Sequence, residues 1–137
     1  MRKKILIVED DPPSMRLIEM SLRAEKYTLL KVTNGEDALK VAKKEHPDLI
    51  LMDILLPKMS GLEVTRQLRE IPEFRRTPII AVTAYAMMGD KEKALDAGCD
   101  AYLSKPIKAR DLPGLIAKML LQSQEEGRNK MKNKDRA

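Results

Sequence analysis

Four short apolar runs, each ending in polar groups, constrain the fold of this chain more than any other feature. They are ILIVEDD at 5–11, DLILMD at 48–53, PIIAVT at 78–83 and AYLSK at 101–105. Buried parallel strands have this continuous apolar character, and open α/β sheets place their ligand sites at the carboxyl ends of such strands. If the four runs are neighbours in one sheet, these polar residues meet at one edge: Glu9, Asp10, Asp11, Asp53, Thr83 and Lys105.

The segments between these runs carry apolar residues at helical spacing. In the first, Met15, Ile18 and Leu22 lie on one face of a helix. Glycine, asparagine and proline separate the segments and mark the turns between them. The predicted helices cover 14–25, about 35–46, a stretch through 64–71, 87–97 and 109–124, with one further short strand at 27–32.

Strand and helix thus alternate five times, which predicts a parallel sheet covered by helices on both faces, a doubly wound α/β fold. We expect one domain over 1–124, because a chain of 137 residues suits a single core. The tail at 125–137 is charged and has one larger apolar residue, Met131, so we expect it to be disordered. No output domain is expected.

The distribution of charge argues against nucleic-acid binding, despite a formal net charge of +5 and a pI near 9.3. Lysine and arginine are interspersed with acids, as in KVAKKE and RQLRE, and few aromatic rings are present to stack on bases. The single cysteine, Cys99, excludes an intramolecular disulfide and indicates a reducing compartment. The run ILIV is too short for a signal peptide or a membrane span, so we expect a cytoplasmic protein with no membrane partner.

Asp53 has the chemistry of a phosphoryl acceptor. A carboxylate can attack phosphorus and form an acyl phosphate when a cation and hydrogen-bond donors offset the charge on the phosphoryl oxygens. Glu9, Asp10 and Asp11 are hard oxygen ligands in a stretch without histidine or cysteine. Such ligands suit Mg²⁺ better than Zn²⁺, and Mn²⁺ is a reasonable substitute.

Thr83 and Lys105 supply the remaining groups that such chemistry needs. A hydroxyl can donate to one phosphoryl oxygen, and an ammonium can neutralise another. Lys105 precedes Pro106, and a cis bond there would turn the lysine back over the site. Each residue alone has an ordinary explanation as a helix cap, strand residue or surface charge, but their joint occurrence at four strand ends favours a shared site.

These motifs resemble the receiver domains of two-component response regulators, the phosphoacceptor modules of bacterial signalling. The matching residues are VED at 8–10, D-x-x-x-P and a later glycine at 53, 57 and 61, T-A at 83–84 and Y-x-x-K-P-I at 102–107. The likeness spans nearly the whole chain, and it is greatest to stand-alone cell-division regulators and the receiver modules of hybrid kinases. It implies a flavodoxin-like fold with five parallel strands in the order 2-1-3-4-5.

The resemblance also implies how the site works. Asp53 would be the phosphorylated aspartate, Asp10 would bind Mg²⁺ directly, and Glu9 would bind it through water. The backbone carbonyl of Leu55 would be a further ligand, and Lys105 would contact the phosphate. Asp11, one residue past the acidic pair, is expected to be a helix cap or to lie outside the ligand set.

Thr83 and Tyr102 match the switch residues of the family. Tyr102 would couple movement of the Thr83 hydroxyl to the face made by the fourth helix, fifth strand and fifth helix. The resemblance implies that Leu55 and Tyr85 stand at variable positions that would tune phosphoryl lifetime, and neither can activate water as an acid or amide could. We therefore predict slow autodephosphorylation.

The leading hypothesis is a signalling phosphoacceptor, not an enzyme with an external substrate. Its partners would be a histidine kinase or histidine phosphotransfer protein and a downstream protein, and it would be a monomer or a weak phosphorylation-dependent dimer. A haloacid dehalogenase-like phosphatase also uses an aspartate nucleophile and Mg²⁺. That class has a D-x-D motif at the nucleophile, and this chain has Leu55 in place of the second aspartate. A phosphorylation-independent docking module is the third hypothesis.

Overall fold

The computed structural model describes residues 2–84 and 89–135, with side chains described as far as Glu125. Five strands form one parallel sheet in the order β2-β1-β3-β4-β5. The strands are β1 Lys4–Val8, β2 Thr28–Val32, β3 Leu49–Asp53, β4 Ile79–Thr83 and β5 Ala101–Ser104. The predicted flavodoxin-like architecture and strand order are confirmed.

Helices follow the strands in alternation: α1 Pro12–Ser21, α2 Gly35–Glu45, α3 Gly61–Glu70, α4 Asp90–Ala97 and α5 Leu112–Asp135, with a short 3₁₀ helix at Pro72–Phe74. Side chains at the N-caps Asp11, Asn34 and Ser60 accept hydrogen bonds from the first turns of α1, α2 and α3. Such caps satisfy amide groups that a helix start leaves without partners, and they fix where each helix begins.

Two helices, α1 and α5, differ from their predicted extents at both ends. The first helix begins at Pro12 rather than 14, since Asp11 caps it and two prolines suit its first turn, and it ends at Ser21. The last helix begins at Leu112 and its backbone continues through residue 135 instead of ending near Gln124. The disorder expected over 125–137 stays a prediction. Gln, Glu, Lys, Arg and Met all favour helix, and the lack of apolar residues does not oppose it.

The core consists of two apolar layers, one on each face of the sheet. Side chains from β1 and β3 alternate between them, with Leu6, Val8, Ile50 and Met52 on one face and Ile5, Ile7, Leu49 and Leu51 on the other. All eight are at most 1 % exposed. Burial on both faces explains why these strands are continuously apolar in sequence.

Arg69 joins several elements at the amino-terminal edge of the sheet. Its guanidinium donates to the backbone carbonyl oxygens of Gly98 at 2.9 Å and Thr77 at 2.7 Å, and also to that of Phe74. It further pairs with Asp100 at 2.8 Å, whose carboxylate accepts from the first amide of β4. This network ties the end of α3 to β4 and to the turn before β5, on the edge opposite the predicted site.

Within the described part of the chain, no helix combines the length and apolar character needed to cross a membrane.

Candidate functional site

The carboxyl edge of the sheet brings the predicted side chains together. β3 ends at Asp53, β4 ends at Thr83, and Lys105 directly follows β5. Glu9 and Asp10 directly follow β1, which lies beside β3. From β1 the chain runs to β2 on one side and later to β3 on the other, so these residues lie at the topological switch point where α/β sheets bind ligands.

Glu9 is buried, 1 % exposed, and its carboxylate makes two contacts that the sequence does not suggest. It lies 2.9 Å from the Lys105 ammonium, and it accepts a hydrogen bond of 3.1 Å from the backbone amide of Asp11. A buried carboxylate requires such compensation because desolvation of an unpaired charge is costly. Glu9 therefore fixes the position of Lys105 as well as adding negative charge to the edge.

Asp53 is also buried, 3 % exposed, and it lies beside both the Glu9 carboxyl and the Lys105 ammonium. One carboxylate oxygen accepts from the Leu55 amide at 3.1 Å, and the other lies 3.3 Å from the Lys105 ammonium. Burial and the neighbouring Glu9 carboxyl raise the pKa of Asp53 to about 7, against the lowering influence of Lys105. A metal cation bound here would favour the ionised, nucleophilic form.

Lys105 is held between the two carboxylates. Burial acts to lower the pKa of its ammonium, but the Glu9 and Asp53 carboxylates outweigh burial and hold the pKa above its usual value. Its backbone amide donates to the Thr83 carbonyl oxygen at 2.7 Å, which joins the end of β4 to the loop after β5. The Lys105–Pro106 peptide bond is cis.

The acidic side chains meet the geometric requirement for a shared cation. Ligand oxygens of Glu9, Asp10 and Asp53 all lie within 4.8 Å of one another. Asp10 is exposed while the other two are buried, so the cluster opens to solvent on the Asp10 side. Oxygen donors in an open arrangement suit Mg²⁺, which retains several water ligands. The residues present therefore fit the predicted ion.

The other residues predicted near the site do not join the carboxylate–lysine cluster in the part of the chain that the structure describes. Asp11 caps α1 by accepting from the Ser14 amide at 3.1 Å and the Ser14 hydroxyl at 2.7 Å, which lowers the pKa of Asp11. Leu55 is 48 % exposed beside Asp53. Pro106 lines an apolar cavity of about 400 Å³ beside α1. Tyr85 lies outside the described residues.

The two predicted switch residues occupy neighbouring strands. Thr83 is 2 % exposed at the end of β4, and Tyr102 lies in β5, opposite Ala81 in the register. The Tyr102 ring packs against the apolar layer that includes α3 and α4 residues. Its hydroxyl is buried and has no hydrogen-bond partner among the residues the structure describes. Burial and the charge of Asp90 raise the pKa of this hydroxyl.

The sequence analysis names the residues of two further contacts, but it does not predict the contacts themselves. The pairing of Glu9 with Lys105 joins residues far apart in sequence, and only the alternation of opposite charges at strand ends hints at it. Gly61 begins α3 directly against the backbone of Asp53. The sequence signal for that contact is glycine at the first position of the helix, directly after the cap Ser60. Glycine is a poor helix former, so its presence there indicates that a side chain would not fit.

The fold and this arrangement define the class of protein. The chain matches the family model described as response regulator receiver domain over residues 5–117, and it belongs to that family. Among individual proteins, it is 50% identical over 107 residues to the polar-differentiation response regulator DivK of Brucella ovis, covering 78% of this chain and 87% of that protein. The DivK protein of Brucella anthropi is equally similar.

Solved structures agree with this assignment. The receiver domain of a sensor histidine kinase from Pseudomonas aeruginosa PAO1, with a magnesium ion coordinated in its active-site cleft, is 39% identical, has a TM-score of 0.80, and aligns over 88% of this chain and 98% of that one. A CheY-like receiver domain protein from Methanospirillum hungatei JF-1 is 32% identical with a TM-score of 0.85, covering 92% and 99%.

Proposed function

We propose that this receiver domain is a phosphoacceptor in two-component signalling and that Asp53 carries the phosphoryl group. One observation carries the proposal. The Asp53 carboxylate is buried at the switch point of the sheet and lies 3.3 Å from the Lys105 ammonium. It is also close enough to the carboxylates of Glu9 and Asp10, within 4.8 Å, for all three to bind one cation. A nucleophilic oxygen thus lies between a candidate metal site and a fixed positive charge, the arrangement that phosphoryl transfer needs.

The donor is a phosphohistidine on a kinase or phosphotransfer protein. An oxygen of Asp53 forms a bond to phosphorus, the phosphorus–nitrogen bond breaks, and its electron pair returns to the histidine ring, which then takes up a proton. Lys105 leaves its contact with the Asp53 carboxylate to neutralise a phosphoryl oxygen, while Glu9 retains the other side of the ammonium. Thr83 donates its hydroxyl to a second phosphoryl oxygen.

Mg²⁺ would be held by Asp10 and Asp53, with Glu9 acting through water and the Leu55 carbonyl as a further ligand; Mn²⁺ could replace it. When bound, the ion neutralises charge on the phosphoryl oxygens. The acidic cluster supports this assignment, as does the magnesium ion in the cleft of the Pseudomonas receiver domain, which is 39% identical.

The phosphoryl group acts by changing the population of two conformers. New contacts at Thr83 and Lys105 would favour one conformer, and Tyr102 would pass that change to the face made by α4, β5 and α5. A downstream protein would bind this face. We further propose that the receiver unit occupies 1–124 in the cytoplasm, acts as a monomer or a weak phosphorylation-dependent dimer, and has no catalytic output of its own.

Neither alternative hypothesis gains support from a specific contact. A haloacid dehalogenase-like phosphatase would need an acid at position 55, where a half-exposed leucine stands. A phosphorylation-independent docking module would not need a partly buried lysine between two buried carboxylates, because withdrawing these charges from water is costly.

Chemical trapping tests the site of modification. The protein is incubated with acetyl phosphate and Mg²⁺ and then reduced with borohydride, which converts an acyl phosphate to an alcohol. Peptide mass spectrometry should find the reduced residue at position 53 and at none of positions 9, 10 or 11. Reduction at any of those three instead of 53 would contradict the assignment of the nucleophile.

A further inference from the structure

We propose that Gly61 is a positioning residue for the phosphoryl and metal site, because the absence of a side chain lets α3 begin against the backbone of Asp53. This inference rests on the proposed function. A Cβ atom on Gly61 would overlap the Asp53 carbonyl oxygen, and it would lie 2.9 Å from the carbonyl carbon and 3.0 Å from the Ile54 Cα. Each of these neighbours is backbone, so no side-chain rotation could relieve the overlap.

The loop from Asp53 to α3 is held at both ends. The Gly61 amide donates to the Ile54 carbonyl oxygen at 2.9 Å, so the loop closes on itself at the start of the helix. The Gly61 carbonyl oxygen accepts from the buried Thr65 hydroxyl at 2.9 Å. This closed loop carries Leu55, whose amide donates to the Asp53 carboxylate and whose carbonyl is the proposed metal ligand.

Both sides of the contact between Gly61 and Asp53 are anchored in the fold. Asp53 ends a central strand whose partners are β1 and β4, and the next amide, that of Ile54, bonds to the Val82 carbonyl oxygen at 2.9 Å. On the other side, Val64 and Leu68 anchor α3 in the core and are fully buried. A side chain at position 61 must therefore displace either the Asp53 backbone or the loop that bears Leu55.

Gly61→Ala is compared with two other Gly→Ala variants. Gly98→Ala is the destabilised control, because Gly98 has a φ of 114° and an added Cβ would lie 2.7 Å from the Arg69 Cγ, at the opposite edge of the sheet. Gly114→Ala is the neutral control, because an added Cβ there meets nothing within 4 Å. All three are examined at a temperature at which thermal unfolding in EDTA shows them folded.

The main measurement is Mg²⁺ affinity by titration calorimetry, without any phosphodonor. We expect Gly61→Ala to bind Mg²⁺ about 10- to 100-fold more weakly than wild type, the usual effect of disturbing groups that orient metal ligands. Both control variants should bind like wild type. The second measurement is the Mg²⁺ concentration that gives half-maximal phosphorylation by acetyl phosphate. It should be higher than in wild type for Gly61→Ala and unchanged for the two control variants.

A milder variant covers the case in which Gly61→Ala does not fold. Thr65→Val removes the hydrogen bond to the Gly61 carbonyl oxygen without adding a clash, and it should weaken Mg²⁺ binding by a smaller factor. Wild-type affinity in a folded Gly61→Ala would overturn the inference, as would wild-type affinity in Thr65→Val if the alanine variant is unfolded. Failure of wild type to bind Mg²⁺ would instead overturn the proposed metal site.

Discussion

The Lys105 ammonium lies 2.9 Å from the Glu9 carboxylate, across 96 residues of sequence. Both side chains are largely withdrawn from water, with 17% of the lysine and 1% of the glutamate side chain exposed. This pair places a positive charge beside Asp53 before any phosphoryl group arrives. The charge pair is therefore preorganised, and groups already in place need no rearrangement during the reaction.

Lys105→Met should destabilise the protein and abolish efficient phosphoryl transfer. Without the ammonium, the buried carboxylates of Glu9 and Asp53 lose their shared partner, so we expect a loss of about 1–3 kcal/mol in the free energy of unfolding in EDTA. Mg²⁺ should restore part of that loss by replacing the missing positive charge. Urea unfolding with and without Mg²⁺ measures the loss of stability and its recovery, and intact mass after incubation with acetyl phosphate measures phosphoryl transfer.

Lys108→Met is the matched control, since Lys108 is exposed in the same loop. It should change stability and phosphorylation little. Equal effects of the two substitutions would mean that the Glu9 contact has no special importance.

Stability without metal should fall as pH rises, because Asp53 binds its proton more tightly in the folded state. Its pKa is about 7 in the fold and 3.8 as an isolated group. The resulting stabilisation is complete below the lower value and is lost as pH rises through the higher one. Asp53→Asn, which cannot ionise, should lack this loss and gain on the order of 1–3 kcal/mol over wild type between pH 5 and pH 8.

Thermal or urea unfolding of the two proteins in EDTA across this pH range gives the comparison. The difference between them reports the titration of Asp53 together with its coupling to Glu9 and Lys105, and it cancels the contribution of groups elsewhere in the chain. Parallel stability curves would show that the Asp53 carboxyl titrates as it does in an unfolded chain.

The phosphorylated protein should lose its phosphoryl group slowly, because Leu55 places an apolar, half-exposed side chain beside Asp53 and offers no group to orient water. Leu55→Asn introduces an amide that can hold a water near phosphorus, so it should shorten the lifetime. The decay is followed by intact mass after removal of acetyl phosphate, in the presence of Mg²⁺. A half-life of only seconds in wild type would refute the prediction.

Arg69→Gln should destabilise the fold without changing the chemistry. It removes hydrogen bonds to three backbone carbonyls and the pair with Asp100, at the edge opposite the site, and we expect a loss of about 2–4 kcal/mol. Arg66→Gln, whose side chain is 55% exposed in a single ion pair of 3.8 Å, should change stability by less than about 0.5 kcal/mol. Denaturant unfolding compares them, and phosphorylation at a permissive temperature should match wild type in both.

The fold was predictable because burial on both faces makes strands such as Leu49–Asp53 continuously apolar, and the polar group at each strand end marks the carboxyl edge. The convergence of Asp53 and Lys105 follows from that topology. The Glu9–Lys105 contact does not, because it depends on side-chain reach across the sheet. Helix ends were less predictable from apolar periodicity: the expected cap Asp11 starts α1 before residue 14, and the helical propensity of a charged tail extends α5.

Intact mass spectrometry after incubation with acetyl phosphate is the decisive test of Asp53 as the phosphoacceptor. Wild type with Mg²⁺ should gain the mass of one phosphoryl group, and it should gain little or none in EDTA. Asp53→Asn with Mg²⁺ should gain none, because its amide oxygen is a poor nucleophile. A wild-type protein that acquires no labile adduct, or an Asp53→Asn variant that acquires the same one, would contradict the account.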